Sequence, residues 1–134
     1  MSLGRILVVD DDEGVRKAVR LTLTKAGYDV VDAEDGEKGI QAMHSGDNPL
    51  MVDAILCDIH MPNVDGVEAV AFFRRHCPSV PVIVMTGRPS VAGLTDLMRQ
   101  GVVEYLTKPV SPDELTEAVS KYARRHVNQD GAKT

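Results

Sequence analysis

The 134-residue chain is 43% hydrophobic and 26% charged, which predicts one globular domain with its own core. A formal charge of −5 argues against direct binding to nucleic acid, because the only basic clusters, Arg74-Arg75 and Arg124-Arg125, are typical of solvated helix faces. No apolar stretch approaches the ~20 residues of a membrane span, and the two cysteines favour reduced thiols in a cytoplasmic protein over a disulfide framework.

Short β-branched segments alternate with segments of helical spacing along the chain. The predicted strands cover residues 5–9, 29–33, 51–57, 80–85 and 102–107. Five helices are predicted between and after these strands, and each has an apolar stripe. The stripes of the first and third helices are Val15, Val19 and Leu23, and Val67, Val70 and Ala71. Strict alternation of strands and helices predicts a parallel sheet with helices on both faces.

Residues at the helix ends support these elements. Gly27 follows the first helix and Gly101 the fourth, and glycine is the favoured residue just beyond a helix. Ser111-Pro112-Asp113-Glu114 is a capping box with proline at the first helical position, so the last helix is predicted to begin there. Past Val127 the chain turns polar, so we expect residues 1–127 to form the domain and residues 128–134 a polar tail or linker stub.

Polar or charged side chains stand at the ends of four of the five predicted strands. Asp10 follows the first strand, Asp58 the third, Thr86 the fourth and Lys108 the fifth. In an open parallel sheet, ligands bind outside the carboxyl ends of the strands. These four side chains are therefore predicted to converge on one site.

The predicted cluster combines like charges that need compensation. Asp10, Asp11 and Asp58 would repel one another by about 4 kcal/mol per pair at ~4 Å and an effective dielectric near 20, and Lys108 offsets one charge. A hard divalent cation such as Mg²⁺, which takes oxygen ligands, would offset the rest. Such a site suits phosphoryl transfer with a carboxylate as the nucleophile. Asp12 directly precedes the first helix, so the sequence favours a helix N-cap over a metal ligand at that position.

Four segments in this order, "ILVVDDDEGVR", "DAILCDIHMPNVDG", "PVIVMTG" and "EYLTKPVSPDEL", resemble the receiver domain of two-component response regulators. The resemblance covers about residues 5–122. It implies a flavodoxin-like α/β fold, which is a doubly wound five-stranded parallel sheet in the order 2-1-3-4-5. Five helices would cover the sheet in a three-layer αβα arrangement, and residues 1–127 would form the receiver domain.

The resemblance also assigns roles to the acidic residues. Asp58 matches the aspartate that accepts the phosphoryl group in this family. Mg²⁺ (or Mn²⁺) would be held by Asp10, Asp11 and Asp58 together with the backbone carbonyl of His60. The side chains of His60 and Arg88 are expected, from position alone, to tune how fast water reaches the acyl phosphate.

Three further residues match the family's switch. Thr86 matches the hydroxyl that moves to the phosphoryl oxygens, and Lys108 matches the lysine that pairs with the phosphoryl group. Tyr105 matches the aromatic residue whose rotamer changes with the threonine. Strand alternation places Tyr105 on the side opposite Lys108. The family's lysine–proline bond is usually cis, so the resemblance implies a cis Lys108–Pro109 peptide.

The resemblance implies a signalling role and not turnover of a free metabolite. A sensor histidine kinase or a histidine-phosphotransfer protein would donate the phosphoryl group, and the domain would catalyse only its own phosphorylation and dephosphorylation. A C-terminal output domain in a longer protein and a homodimer formed on activation are further partners to expect. Direct contact with nucleic acid or with a membrane is not expected.

Other functions share parts of this pattern. A haloacid-dehalogenase-type phosphatase also uses an aspartate nucleophile with Mg²⁺, but it typically carries a second aspartate two residues later, where this chain has His60. A flavodoxin-like cofactor carrier would need a phosphate-binding loop after the first strand, where Asp10, Asp11 and Asp12 would repel a flavin phosphate. A degenerate receiver that acts as an interaction module without phosphorylation is the remaining alternative.

Overall fold

Five parallel strands form the centre of the protein in a computed structural model, which describes residues 2–59 and 66–124. The strands are β1 (Arg5–Val9), β2 (Asp29–Ala33), β3 (Val52–Asp58), β4 (Val82–Thr86) and β5 (Glu104–Thr107). They are hydrogen-bonded in the order β2-β1-β3-β4-β5, as the family resemblance implied. The order reverses between β1 and β3, so a crevice opens at their carboxyl ends. Every residue of β3 is buried, as expected for a strand covered on both faces.

Six helices surround the sheet in the described residues, one more than the sequence predicted. They are α1 (Glu13–Lys25), α2 (Gly36–Met43), α3 (Asn48–Met51), α4 (Gly66–His76), α5 (Val91–Arg99) and α6 (Pro112–Tyr122). The additional helix, α3, is a single turn held by a tertiary contact that no local pattern predicts. The Arg5 guanidinium donates to Asp47 at 2.6 Å and to Asn48 at 2.8 Å, which ties this turn to β1.

Alternate residues of each inner strand supply two separate apolar layers. In β1, Leu7 and Val9 pack with α2, α4 and α5, whereas Ile6 and Val8 pack with α1 and α6. This period of two follows from the strand pleat, which points successive side chains to opposite faces. The result is the predicted three-layer αβα architecture, with the carboxyl edge of the sheet left open between the layers. None of the helices in the described residues has the length and apolar character that crossing a membrane requires.

The predicted apolar stripe of the third predicted helix was partly wrong. In α4, Val70 is buried, but Val67 is 44% exposed and Ala71 is also exposed. The buried residues around Val70 are Ala69 and Phe73, which lie on the same side of the helix. The large ring of Phe73 decides which face of α4 turns to the sheet, because its burial contributes more than that of an alanine.

Glycines end α1 and α5 as predicted. Gly27 and Gly101 have φ angles of 101° and 94°, where glycine carries no steric cost. Beyond Gly101, the Val102 amide returns to the Leu97 carbonyl at 3.2 Å, so residue 102 closes the helix and β5 begins at Glu104. The predicted capping box at the start of α6 is present, with both of its hydrogen bonds formed.

Two arginines predicted to be solvated instead bind backbone carbonyls. Arg74 donates to the Gln100 carbonyl at 3.1 Å and to the Pro78 carbonyl at 3.2 Å, which links α4 to the end of α5. Arg124 donates to the Val52 carbonyl at 2.5 Å and to carbonyl and hydroxyl groups nearby. The prediction of solvated faces was therefore wrong for Arg74 and Arg124, whereas Arg75 is exposed as expected and Arg125 lies outside the described residues. Guanidinium groups cap carbonyls that strands and helix ends leave without a partner.

Candidate functional site at the carboxyl edge of the sheet

Three carboxylates meet where β1 and β3 end. Asp10 is completely buried and Asp58, the last residue of β3, is 4% exposed, whereas Asp11 is exposed. One oxygen from each of the three lies within 4.8 Å of the others. Adjacent residues of a strand point to opposite faces, so Asp10 and Asp11 converge only because the chain bends after β1.

Asp12 stabilises that bend and does not belong to the carboxylate group. Its side chain accepts the Val15 amide at 3.2 Å and forms the N-cap of α1, as predicted. Its own amide donates to the Asp10 carboxylate at 2.9 Å. The three consecutive aspartates therefore have different structural environments.

Lys108 bridges the two buried carboxylates. Its ammonium lies 2.7 Å from Asp10 Oδ2 and 3.2 Å from Asp58 Oδ2. Burial raises the pKa of Asp10, although the hydrogen bonds from Lys108 and from the Asp12 amide lower it in part. Burial lowers the pKa of Lys108, but its hydrogen bond to Asp10 and the charges of Asp10 and Asp58 outweigh this, so the pKa is raised. Lys108 is therefore charged at neutral pH.

The donor set fits a hard divalent cation. Three carboxylates and one ammonium carry a net charge of two negative units, and the clustered atoms are all oxygens. Mg²⁺ and Mn²⁺ both prefer such ligands. His60, whose carbonyl was expected to be a further ligand, lies outside the described residues, as does its side chain.

The hydroxyl of Thr86 holds the loop that follows β4. Thr86 is completely buried at the end of its strand, and its Oγ1 accepts the Arg88 amide at 2.9 Å. Its carbonyl accepts the Lys108 amide at 2.8 Å, which places Lys108 beside the carboxylates. The Lys108–Pro109 peptide is cis, as the family resemblance implied. The side chain of Arg88 is exposed.

Tyr105 contacts the other end of the same loop. Its ring is half-buried and packs against the apolar layer of α2, α4 and α5, away from Lys108. Its hydroxyl accepts the Ser90 amide at 3.4 Å, and the Ser90 side chain caps α5 by accepting the Gly93 amide. The structure thus connects Thr86 to Tyr105 through the loop between β4 and α5.

One residue of this site was missed by the sequence reasoning. Arg16 donates from Nη1 to the backbone carbonyl of Asp10 at 2.7 Å. A basic residue near the amino end of a helix is opposed by the helix dipole, and α1 carries Arg16 there. That unfavourable placement was the signal in the sequence that could have identified it.

Comparison with known proteins agrees with this geometry. Residues 6–120 match the family described as response regulator receiver domain. The transcriptional regulatory protein GlrR of Escherichia coli is 38% identical over 114 residues, which are 85% of this chain and 25% of that protein. The response regulator MprA of Mycolicibacterium vanbaalenii is 38% identical over 128 residues, which are 96% of this chain and 54% of that protein. The chain thus spans between a quarter and about half of these relatives.

Solved structures show the same fold. A response regulator receiver domain protein (CheY-like) from Methanospirillum hungatei has a TM-score of 0.82 at 28% identity, covering 90% of this chain and 93% of that one. The topology, the acidic cluster and the family match agree with one another.

Proposed function

Because the chain belongs to the receiver domain family of response regulators, we propose that Asp58 accepts a phosphoryl group and thereby switches the domain in a two-component phosphorelay. Members of this family act mostly as signalling modules. The observation that carries the proposal is the meeting of Asp10, Asp11 and Asp58 within 4.8 Å, bridged by Lys108. The donor would be a phosphohistidine on a sensor histidine kinase or a histidine-phosphotransfer protein in the cytoplasm.

The transfer moves one phosphoryl group between two side chains. A carboxylate oxygen of Asp58 attacks phosphorus, the P–N bond of the phosphohistidine breaks, and its electron pair returns to the imidazole, which takes a proton from solvent. The product is a mixed anhydride of Asp58 and phosphate. Lys108 is already 3.2 Å from Asp58 and would neutralise negative charge on the transferred group.

The acidic residues would hold the cation that this chemistry needs. Receiver domains use Mg²⁺ at their acidic pocket, and Asp10, Asp11 and Asp58 offer the matching oxygens here. Bound Mg²⁺ supplies charge neutralisation to phosphoryl oxygens. We propose that the His60 carbonyl is a further ligand of the cation. We also propose that the side chains of His60 and Arg88 tune the hydrolysis of the aspartyl phosphate.

The switch would start at Thr86. In the structure its hydroxyl oxygen accepts the Arg88 amide, and a phosphoryl group on Asp58 would accept the proton of the same hydroxyl and draw it towards Asp58, away from Arg88. Losing the contact with Arg88 would release the loop that runs to Ser90, where Tyr105 now accepts an amide. This exchange of hydrogen bonds would bias two states of the loop and of the surface around Tyr105. An output domain or a second copy of the domain would read the change.

Intact-mass measurement tests the proposal. The full chain is incubated with Mg²⁺ and acetyl phosphate, and Asp58→Asn and Asp113→Asn are treated in parallel. We expect one added phosphoryl group on the wild type and on Asp113→Asn, and none on Asp58→Asn or after chelation of Mg²⁺. No addition to the wild type, from acetyl phosphate or from a phosphohistidine donor, would support the degenerate receiver instead. Rapid turnover of phosphate esters would support the phosphatase.

A further inference from the structure

Arg16 contacts the backbone of the acidic site and not its clustered carboxylates. Its side chain is 16% exposed, and its Nη1 donates to the Asp10 carbonyl at 2.7 Å. On its other side, Arg16 Nε lies 4.0 Å from a carboxylate oxygen of Asp32 in β2. Arg16 therefore spans the ends of β1 and β2 beside the acidic site.

Arg20 offers a natural comparison one helical turn later. It pairs with the same carboxylate of Asp32 at 3.2 Å, and it donates to the Val30 carbonyl at 3.1 Å. Both arginines lie on α1, carry the same charge and share an acidic partner. Only Arg16 reaches the peptide between Asp10 and Asp11.

That peptide decides where Asp11 points. The Asp10 amide still pairs with the Ala33 carbonyl in the sheet, at 3.1 Å. The Asp10 carbonyl belongs to the next peptide, the one that leads into Asp11, and Arg16 is its hydrogen-bond donor. The bend that brings Asp11 towards Asp10 and Asp58 thus begins at Asp10, whose amide is held by the sheet and whose carbonyl is held by Arg16.

We propose that Arg16 is a positioning residue that sets Asp11 against Asp10 and Asp58 for divalent-cation binding. The inference rests on the proposed function only in taking Mg²⁺ as the cation. Two effects of removing Arg16 have opposite signs. Loss of a nearby positive charge strengthens the attraction between the carboxylates and Mg²⁺. Loss of the bond to the Asp10 carbonyl scatters the oxygens and weakens binding.

Calorimetric titration of the full chain with Mg²⁺ separates these effects. We expect Arg16→Gln to bind Mg²⁺ about tenfold more weakly than the wild type, the loss typical of removing a group that orients a metal ligand. Arg20→Gln removes the same charge from the same helix, and its affinity should stay within about twofold of the wild type. Arg16→Lys keeps the charge, but one ammonium cannot serve both the carbonyl and Asp32, so it should lie between these values. Affinity of Arg16→Gln equal to or tighter than that of the wild type overturns the proposal.

A second readout does not need the cation. In ¹H–¹⁵N spectra of metal-free protein, Arg16→Gln should shift the amides of Asp11 and Asp12, and Arg20→Gln should leave them in place. Unshifted Asp11 and Asp12 amides in Arg16→Gln would refute the proposal even if Mg²⁺ affinity fell. If Arg16→Gln does not fold, Arg16→Lys takes its place in both measurements.

Phosphorylation rates distinguish positioning from general damage. For Arg16→Lys, we expect the Mg²⁺ concentration at half-maximal rate to rise while the rate at saturating Mg²⁺ stays within a few-fold of the wild type. Equal loss at all Mg²⁺ concentrations would contradict positioning. If neither the wild type nor any variant takes up a phosphoryl group, the proposed function fails. The role of Arg16 still stands if Arg16→Gln differs from Arg20→Gln in Mg²⁺ affinity and in the amide shifts as expected.

Discussion

Single substitutions of Asp11 and Asp12 should separate two roles that neighbouring carboxylates have in the turn after β1. Asp11 belongs to the oxygen cluster with Asp10 and Asp58, whereas Asp12 accepts the Val15 amide at the start of α1. Asp11→Asn and Asp12→Asn each remove one negative charge at adjacent positions. The pair is therefore matched in charge and differs in the group that the side chain contacts.

The structure sets the size of each effect. Two unit charges 4.8 Å apart repel by about 0.9 kcal/mol at the dielectric of water and by about 3.5 kcal/mol at an effective value near 20. Asp11 is exposed, so the lower figure applies to each of its two repulsions, and Asp11→Asn should raise the free energy of unfolding of metal-free protein by about 1–2 kcal/mol. Its Mg²⁺ affinity should fall at least about tenfold, or about 1.4 kcal/mol.

Asp12 should show the reverse pattern. Asparagine caps helices as well as aspartate does, so Asp12→Asn should change stability little, whereas Asp12→Ala should cost about 1 kcal/mol. Mg²⁺ affinity should change less than about threefold in both, because only a screened charge is lost. Calorimetric Mg²⁺ titration and urea unfolding in chelator measure the two quantities. Equal losses of Mg²⁺ affinity in Asp11→Asn and Asp12→Asn would refute the division of roles.

Three further predictions concern the surroundings of the carboxylates. The pKa of Lys108 is raised, so the stabilisation that charged Lys108 gives the folded protein is complete below about pH 10 and is lost as pH rises through the folded-state pKa. The difference in unfolding free energy between wild type and Lys108→Met should therefore shrink above about pH 10. A constant difference up to about pH 12 would contradict this prediction. A Cβ at Gly66 would overlap the backbone carbonyl of Asp58, so Gly66→Ala should cost at least about 2 kcal/mol in urea unfolding, unlike Gly87→Ala, where the space is open. Tyr105→Phe removes the hydroxyl that accepts the Ser90 amide, so the hydrogen exchange of the Ser90 amide should become faster. An unchanged exchange rate of this amide would exclude its hydrogen bond to Tyr105.

The strands and the residues at their ends could be predicted because they depend on local patterns. The run of residues 54–57 within β3 is buried on both faces and is therefore apolar, and Asp58, which ends the strand, stands out after it. The shared edge of parallel strands then brings Asp10, Asp58 and Lys108 together. The N-cap at Asp12 and the capping box at Ser111 follow from equally local chemistry.

The sequence predictions failed for features that are fixed by contacts between residues or backbone groups distant in the sequence. The single turn α3 is held by Arg5, which is more than forty residues away in the chain, and no local propensity reveals it. Arg74 and Arg124 were expected in solvent because sequence shows their charge and not the carbonyls within their reach. Arg16 was missed for the same reason, since its partner is a backbone atom and backbone atoms are the same in every residue.

Chemical trapping of the phosphorylated residue tests whether Asp58 is the acceptor. Borohydride reduces an acyl phosphate to an alcohol, so an aspartyl phosphate at Asp58 would become homoserine at that position. After incubation with Mg²⁺ and a phosphohistidine donor, reduction and peptide mass mapping, we expect homoserine at residue 58 and at no other acidic residue. Homoserine at Asp10 or Asp11, or none at residue 58 in protein that has gained a phosphoryl group, would contradict it.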